Sequence, residues 1–350
     1  MKRFIFAILA LFTAVCVYSQ ADLQPAATVN LIRTEAITVR QLRTEVTRME
    51  QSAGRVLTQA ERLQVLDVMI NERLILQAAE RDRIIVTDNE INQQLTQLRT
   101  AFSQQFTQQF GRQPTDAEFA DAILRETGLT LEAYREQVRR TGIAQKYLFH
   151  KKGDLLNTLR PPTEEEILAE YNLSRTSLIR PETIRFTLIQ IPYGPDAASR
   201  QRARTLADNL VREINNDATK FDEVAARSVA PNSGYQAGDA GYLPRTQDVR
   251  NAVGQVFMDA AFGLRQGQVS RLIEGPLGFQ IIKVTENYAQ RNLELNDIIQ
   301  LGTRITVREY IGQAMLNHRQ QLIVARATQE LIAELRSSRT FTIFENNIRW

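Results

Sequence analysis

Six threonines, each followed three residues later by glutamate or glutamine, fix where much of this 350-residue chain can enter a helix. They stand in Thr38-x-x-Gln41, Thr58-x-x-Glu61, Thr87-x-x-Glu90, Thr115-x-x-Glu118, Thr163-x-x-Glu166 and Thr306-x-x-Glu309, and each fits a capping box. There the threonine oxygen and the acidic or amide side chain satisfy backbone N–H groups that a helix start leaves free. After Thr58, Leu63, Leu66, Ile70, Leu74 and Ala78 recur at spacings of three and four, which predicts one buried helical face. Thr306 opens a second long helix carrying Ile311, Met315, Leu322, Leu331 and Leu335.

Two short segments read instead as strands. Ala27–Thr38 has the pattern of a β-ribbon with a turn near Arg33 to Glu35, and a two-stranded piece alone is marginal. Arg339-Thr-Phe-Thr-Ile-Phe344 alternates apolar and polar residues like a half-buried strand, and is its expected partner.

Met1-Lys-Arg3 followed by apolar Phe4–Tyr18 has the charge and length of a signal peptide and is short for a membrane span. Val17 and Ser19 suit a cleavage that leaves Gln20 first. A lipoprotein through Cys16 is the weaker reading, because Thr13-Ala-Val is a poor lipobox. Cleavage removes the single cysteine, so the mature chain is expected to have no disulfide and no thiolate site. The 43 Lys and Arg nearly balance 40 Asp and Glu, and losing Lys2 and Arg3 brings them closer still. Such a balance argues against a nucleic-acid footprint. The length exceeds a usual single core, so two domains are expected.

Between Ile184 and Asn287 a different order of features appears. A strand, Arg185–Pro192, leads into the helical stretch Ala198–Asn215 and then Phe221-Asp-Glu-Val-Ala-Ala-Arg-Ser228. Gly238-Asp-Ala-Gly-Tyr242 follows, then Phe257-Met-Asp-Ala-Ala-Phe-Gly-Leu-Arg-Gln-Gly-Gln-Val-Ser270 and Gly278-Phe-Gln-Ile-Ile-Lys-Val284. In this order the blocks resemble a parvulin-type (PpiC) peptidyl-prolyl isomerase domain.

That resemblance implies two histidines around the substrate proline, and none lies in the segment. The first position falls on Leu188 or Gln190, two residues that share a strand face; the second is Gln280. The family's acidic or cysteine position falls on Ala230 or Pro231, neither of which donates from its side chain. Phe257 stands at the proline-contacting phenylalanine, with Val253 and Phe279 as further implied peptide contacts. Glutamine donates and accepts hydrogen bonds but cannot relay a proton as imidazole does. Asp239 is read as a turn former in Gly238-Asp-Ala-Gly241 rather than a replacement carboxylate. His150, read as a helix C-terminal residue, and His318, read as a partly buried helix residue, have no histidine or cysteine at ligand spacing. Neither a metal nor another cofactor is therefore expected.

The wider arrangement resembles the SurA and PrsA group of secreted foldases. The expected class is α+β: a mostly helical chaperone module completed by a C-terminal helix and strand, with one inserted parvulin-like α/β domain. The expected divisions are a leader at 1–19, the helical domain at 20–181, the parvulin-like domain at 182–288 and a returning helix and strand at 289–350. Phe102, Phe106 and Phe110 recur every four residues among Ser, Thr and Gln, and are read as domain core or as contacts for unfolded clients. Glutamines 93, 94, 97, 104, 105, 108 and 109 are read as a solvated face.

The resemblance implies a periplasmic chaperone that binds unfolded or nascent envelope proteins. Outer-membrane protein precursors are the expected clients, and the outer-membrane assembly machinery is a candidate partner. An active prolyl isomerase with a glutamine-based site, and a structural envelope protein, stay open as alternatives.

Overall fold

The computed structural model describes residues 22–338 and 340–350; the expected leader with Cys16, its cleavage site and Arg339 lie outside them. The chain begins with β1 (Pro25–Asn30), β2 (Thr34–Thr38), α1 (Val39–Ala53), α2 (Gln59–Arg81), α3 (Asp88–Phe110), α4 (Asp116–Thr127) and α5 (Leu131–Leu156). It continues through α6 (Glu164–Ser174), β3 (Ile179–Arg180), β4 (Thr183–Pro192), α7 (Ala197–Ile214), α8 (Ala218–Arg227), β5 (Gln236–Pro244), α9 (Gln247–Val253) and α10 (Gln255–Phe262). Then come β6 (Ile273–Gly275), β7 (Gly278–Tyr288), β8 (Arg291–Asn292), α11 (Val307–Ser337) and β9 (Phe341–Ile343). The class is α+β. Its contacts form two compact units, one from the chain up to Leu159 with Arg319–Trp350, the other Arg160–His318.

All six threonine boxes form, with the backbone N–H of each threonine bonded to its partner side chain and the partner's N–H bonded to the threonine Oγ1. In the helical unit the ribbon β1–β2 gains β9 as its third strand, giving the antiparallel order β2-β1-β9 with Thr28 opposite Thr342. Ala27, Val29 and Ile37 from this sheet meet Leu66, Ile70 and Leu74 of α2, Tyr147 of α5, and Leu331 and Leu335 of α11 in one apolar core. Gln77 is fully buried there. Its Oε1 accepts from the backbone N–H groups of Leu31 (3.0 Å) and Ile32 (3.2 Å), so an amide at the helix surface closes the β1–β2 turn.

The other unit holds the four-stranded antiparallel sheet β5-β4-β7-β6. Ile189, Ile191, Phe279 and Ile281 face α7 and α8 on one side. Ile184, Phe186, Ile282 and Val284 face α9 and α10 on the other. A separate cluster packs Ile167 and Tyr171 of α6 against Leu293, Val307 and Ile311. Tyr171 also donates from its hydroxyl to the Leu293 carbonyl at 3.1 Å. The contacts divide at Leu159 and His318, and α6 and the first turns of α11 pack on one another and on Leu293 within Arg160–His318.

Some details differ from expectation. Leu322 is 56% exposed although it keeps the helical spacing of its buried neighbours. His318 is exposed rather than half-buried; His150 is exposed too and stands two residues before Lys152, whose non-helical backbone kinks α5. The last strand is confined to Phe341–Ile343. Among the described residues no helix is long and apolar enough to cross a membrane.

Replacing Gln77 by leucine would leave the Leu31 and Ile32 N–H groups without their acceptor. The expected loss is about 2 kcal/mol, the cost of an unsatisfied, largely buried donor. Hydrogen exchange at Leu31 and Ile32, together with urea denaturation, should show both the local opening and the destabilisation; unchanged protection would refute the role given to this amide.

Candidate functional site

Strand β4 carries both Leu188 and Gln190, the two residues expected at the first histidine position. Directly opposed residues on antiparallel strands point to the same face. Gln190 of β4 lies opposite Gln280 of β7 and opposite Gln236 of β5, while Gln280 lies opposite Ile273 of β6. Three glutamines and one isoleucine thus form a row across all four strands. Gln280 Nε2 donates to Gln190 Oε1 at 2.8 Å, and both side chains are half-buried.

Two glycines make room for this pair beside the Pro276-Leu277 turn. A Cβ on Gly278 would meet the Ile191 carbonyl oxygen at 2.2 Å and Gln190 Nε2 at 2.7 Å; one on Gly275 would lie 3.2 Å from Gln280 Oε1. The row offers neutral donors and acceptors to a peptide and holds no group that exchanges a proton near neutral pH. Leu188 lies two residues along the same face, opposite Ile282, and packs into the core there. Ala230 and Pro231 sit exposed in the turn that follows α8.

The expected aromatic contacts are not brought together. Phe257 is only 7% exposed, with its ring 5.7 Å from that of Phe186, edge to face, and Val253 half-buried against the same cluster. Phe279 lies on the opposite face of the sheet. Its ring meets that of Tyr193 at 5.1 Å, and the Arg204 guanidinium stands 5.4 Å from its centre. Adjacent residues of a strand alternate faces, so a Gln280 that points toward α10 sends Phe279 toward α7. A groove of about 700 Å³ runs along α10 past Val256, Asp259, Ala260, Leu272 and Glu274, and reaches the glutamine row only at Ile273. None of Gln190, Gln280, Val253, Phe257 or Phe279 lines it.

Asp239 lies within β5, beside the irregularity in its pairing with β4, rather than in the turn expected from its sequence. It accepts from the Gly241 N–H at 2.9 Å and pairs with Arg185, and the Arg185 hydrogen bond holds it below the usual aspartate range. Arg185 also reaches Glu286 at 3.0 Å. The hydrogen bond to Glu286 raises the Tyr288 hydroxyl to about 12.

The helical unit carries a larger opening. A groove of about 850 Å³ is formed by α1, α2 and the start of α5. Met49, Leu57, Val65, Val68, Met69 and Leu129 supply its apolar surface, and Arg40, Arg48, Arg73, Arg140, Glu45, Glu61 and Glu72 its charged rim. On α3 the rings of Phe102 and Phe106 lie 5.6 Å apart and those of Phe106 and Phe110 4.5 Å apart, with Phe119 of α4 extending the stack. The strip is graded rather than wholly core or wholly surface: Phe102 and Phe106 are half-buried, and Phe110 is 57% exposed. The glutamines of α3 named above are all exposed. Neither Gln236 nor the groove was legible as a site beforehand, since strand register and helix packing bring their parts together.

The chain thus has a sheet covered by helices on both faces, inserted in sequence into a helical module that its own C-terminal strand completes. Residues 171–288 match the PPIC-type PPIase domain, and residues 1–148 match the SurA-like N-terminal domain. The chain thus carries a SurA-like N-terminal domain and a PPIC-type PPIase domain. It is 26% identical over 230 residues to Chaperone SurA of Chromohalobacter salexigens, covering 66% of this chain and 48% of that protein. To Chaperone SurA of Saccharophagus degradans it is 27% identical over 290 residues, covering 79% and 61%. The chain spans about half the length of the first of these curated relatives. Among solved structures, one of the SurA-like chaperones PEB4 and Cj1289 of Campylobacter jejuni matches with 10% identity, covering 92% of this chain and 100% of that one, at a TM-score of 0.37. PrsA of Bacillus subtilis matches with 19% identity, covering 85% and 88%, at 0.25.

The burial of Phe257 makes a measurable difference between packing and peptide contact. Phe257→Ala should destabilise the sheet unit by about 3 to 5 kcal/mol, the range for a buried phenylalanine, and speed hydrogen exchange in β4 and β7. Gln280→Ala should cost only about 1 kcal/mol, the net value of one hydrogen bond. A Phe257→Ala protein with unchanged exchange would mean that the ring is not core.

Proposed function

We propose that the protein is a SurA-like chaperone of the cell envelope: the helical unit holds unfolded polypeptide, and the parvulin-like unit serves peptide binding or scaffolding more than isomerisation. The observation that carries this reading is the open groove of about 850 Å³ in the helical unit, with exposed methionine and valine on its surface. Flexible methionine suits a surface that accepts many sequences. The parvulin-like unit supports the second part. Gln190, one of the two candidates with Leu188 for the first histidine position, is bonded to Gln280 at the second, and the phenylalanine that the resemblance implies should meet proline is packed into the core.

Periplasmic location is part of the same proposal, supported by the leader-like Met1–Tyr18. Outer-membrane protein precursors as clients, and the outer-membrane assembly machinery as a partner, follow from the resemblance to the SurA and PrsA group. The isomerase alternative draws on the match of residues 171–288 to the PPIC-type domain, with Gln190 and Gln280 as hydrogen-bonding groups around a twisting amide.

Light scattering tests the chaperone reading. A urea-unfolded β-barrel precursor diluted into an equimolar amount of the chain should aggregate far less than alone; no suppression at stoichiometric excess would reject it. In a proline-limited refolding assay the chain should accelerate folding less than about tenfold, whereas a working general acid–base pair typically contributes a hundredfold or more. Gln280→His should add little, because Leu188, Ala230 and Pro231 also lack side-chain donors. A strong acceleration abolished by Gln280→Ala would establish the enzyme instead.

A further inference from the structure

We propose that the groove of the helical unit selects apolar polypeptide segments that carry an acidic side chain, and that Arg40 and Arg73 receive that carboxylate. The inference rests on the chaperone reading and names the chemistry of the client at the same groove. Its apolar part is open: Met49 is 47% exposed and Val68 66% exposed, so an occupant has hydrophobic surface to cover.

The rim charges are not equivalent. Glu45 pairs with Arg48, Glu72 with Arg140 at 3.5 Å, and Glu61 with Arg55 at 2.5 Å, so every rim carboxylate is already engaged. The guanidinium groups of Arg40, which is exposed, and Arg73, which is half-buried, have no hydrogen-bond or ion-pair partner among the described residues; Arg40 accepts only a bond from Thr44 Oγ1 on its backbone carbonyl. The helices α1 and α2 are joined by the short loop Gly54–Thr58 and pack on each other, so they run back along one another. Arg40 stands in the first turn of α1 and Arg73 in the later part of α2, which sets both at the end of the groove away from that loop.

Two uncommitted guanidinium groups beside exposed apolar surface complement one kind of occupant. A planar guanidinium accepts a carboxylate in two parallel hydrogen bonds, and the bonds strengthen where apolar contact excludes water. A basic segment would bring its charge toward two cations with no free carboxylate to offset them. A wholly apolar segment would leave both cations without a partner.

The test uses the full chain and two fluorescein-labelled peptides of leucine, valine and alanine, identical except for a central aspartate in one and asparagine in the other. Fluorescence anisotropy at low ionic strength should give about five- to tenfold tighter binding of the aspartate peptide, and about 0.5 M NaCl should erase most of the difference. Arg40→Gln/Arg73→Gln should bring the aspartate peptide to the asparagine level and leave the asparagine peptide unchanged. Arg40→Gln alone should have a partial effect, and thermal melting checks that both variants fold.

Equal affinities in the parent chain, or a preference that survives the double variant, would overturn the proposal. Protection of a neutral client from aggregation in the same preparation would then leave the chaperone reading standing. Failure to bind either peptide, together with failure to protect, would remove both. A dimer that Met49→Asp dissociates would also overturn it, by showing that a second copy of the chain covers the groove.

Discussion

The pairing of β1 with β9 is the constraint on which the helical unit depends. Three residue pairs, from Ala27 with Ile343 to Val29 with Phe341, join segments from opposite ends of the described chain. A two-stranded ribbon is marginal in water, and β1–β2 would be one without this third strand. With it, Ala27 and Val29 become fully buried, and the sheet lies against α2 and the last turns of α11. Arg336 adds polar fixation from the same helix, reaching Asn71 at 2.8 Å and Asp67 at 2.7 Å. Because the pairing spans the chain, the sheet unit is an insertion by necessity. Its own β4–β7 and β4–β5 ladders close within Arg160–His318 and need nothing from β9.

Within that insertion, a row of amides sets the chemistry that the middle of the sheet can offer. Gln190 and Gln280 occupy opposed positions on the two central strands and satisfy one another. Histidines there would add a titrating charge near neutral pH; glutamines keep the row neutral and its hydrogen bonds constant with pH. The close approach tolerated by Gly275 and Gly278 belongs to the same arrangement, since side chains at those two places would press on the amides. The two apolar layers hold the sheet in place, and of their buried residues only Ile273 takes part in this row.

The helical unit distributes its chemistry differently. Its core is sealed around α2, yet α2 turns Val68 and Arg73 toward the groove it shares with α1 and α5. Apolar exposure in this groove and along Phe110 of α3 has no function in a closed core and suits transient contact with unfolded chain. Binding without proton transfer fits a chain whose distinctive side chains at both places are amides, methionines and guanidiniums.

Much of this was legible in the sequence because its signals are short-range. A capping box is complete within four residues, so Thr38, Thr58, Thr87, Thr115, Thr163 and Thr306 announced their helices correctly. Strand alternation already placed Leu188 and Gln190 on one face, and applied to β7 it sets Phe279 on the face opposite to Gln280. Periodicity failed at Leu322, which repeats in step with buried residues but meets no partner that covers it. The sequence by itself determined the element types, the lack of any histidine between Ile184 and Asn287 and the returning strand. Only the tertiary structure decided that Gln236 joins Gln190 and Gln280, that Phe257 is core, that α6 packs on the first turns of α11, and that Arg40 and Arg73 flank a groove. Those outcomes follow from register and packing between segments far apart in the chain, and no local pattern encodes the distance between them.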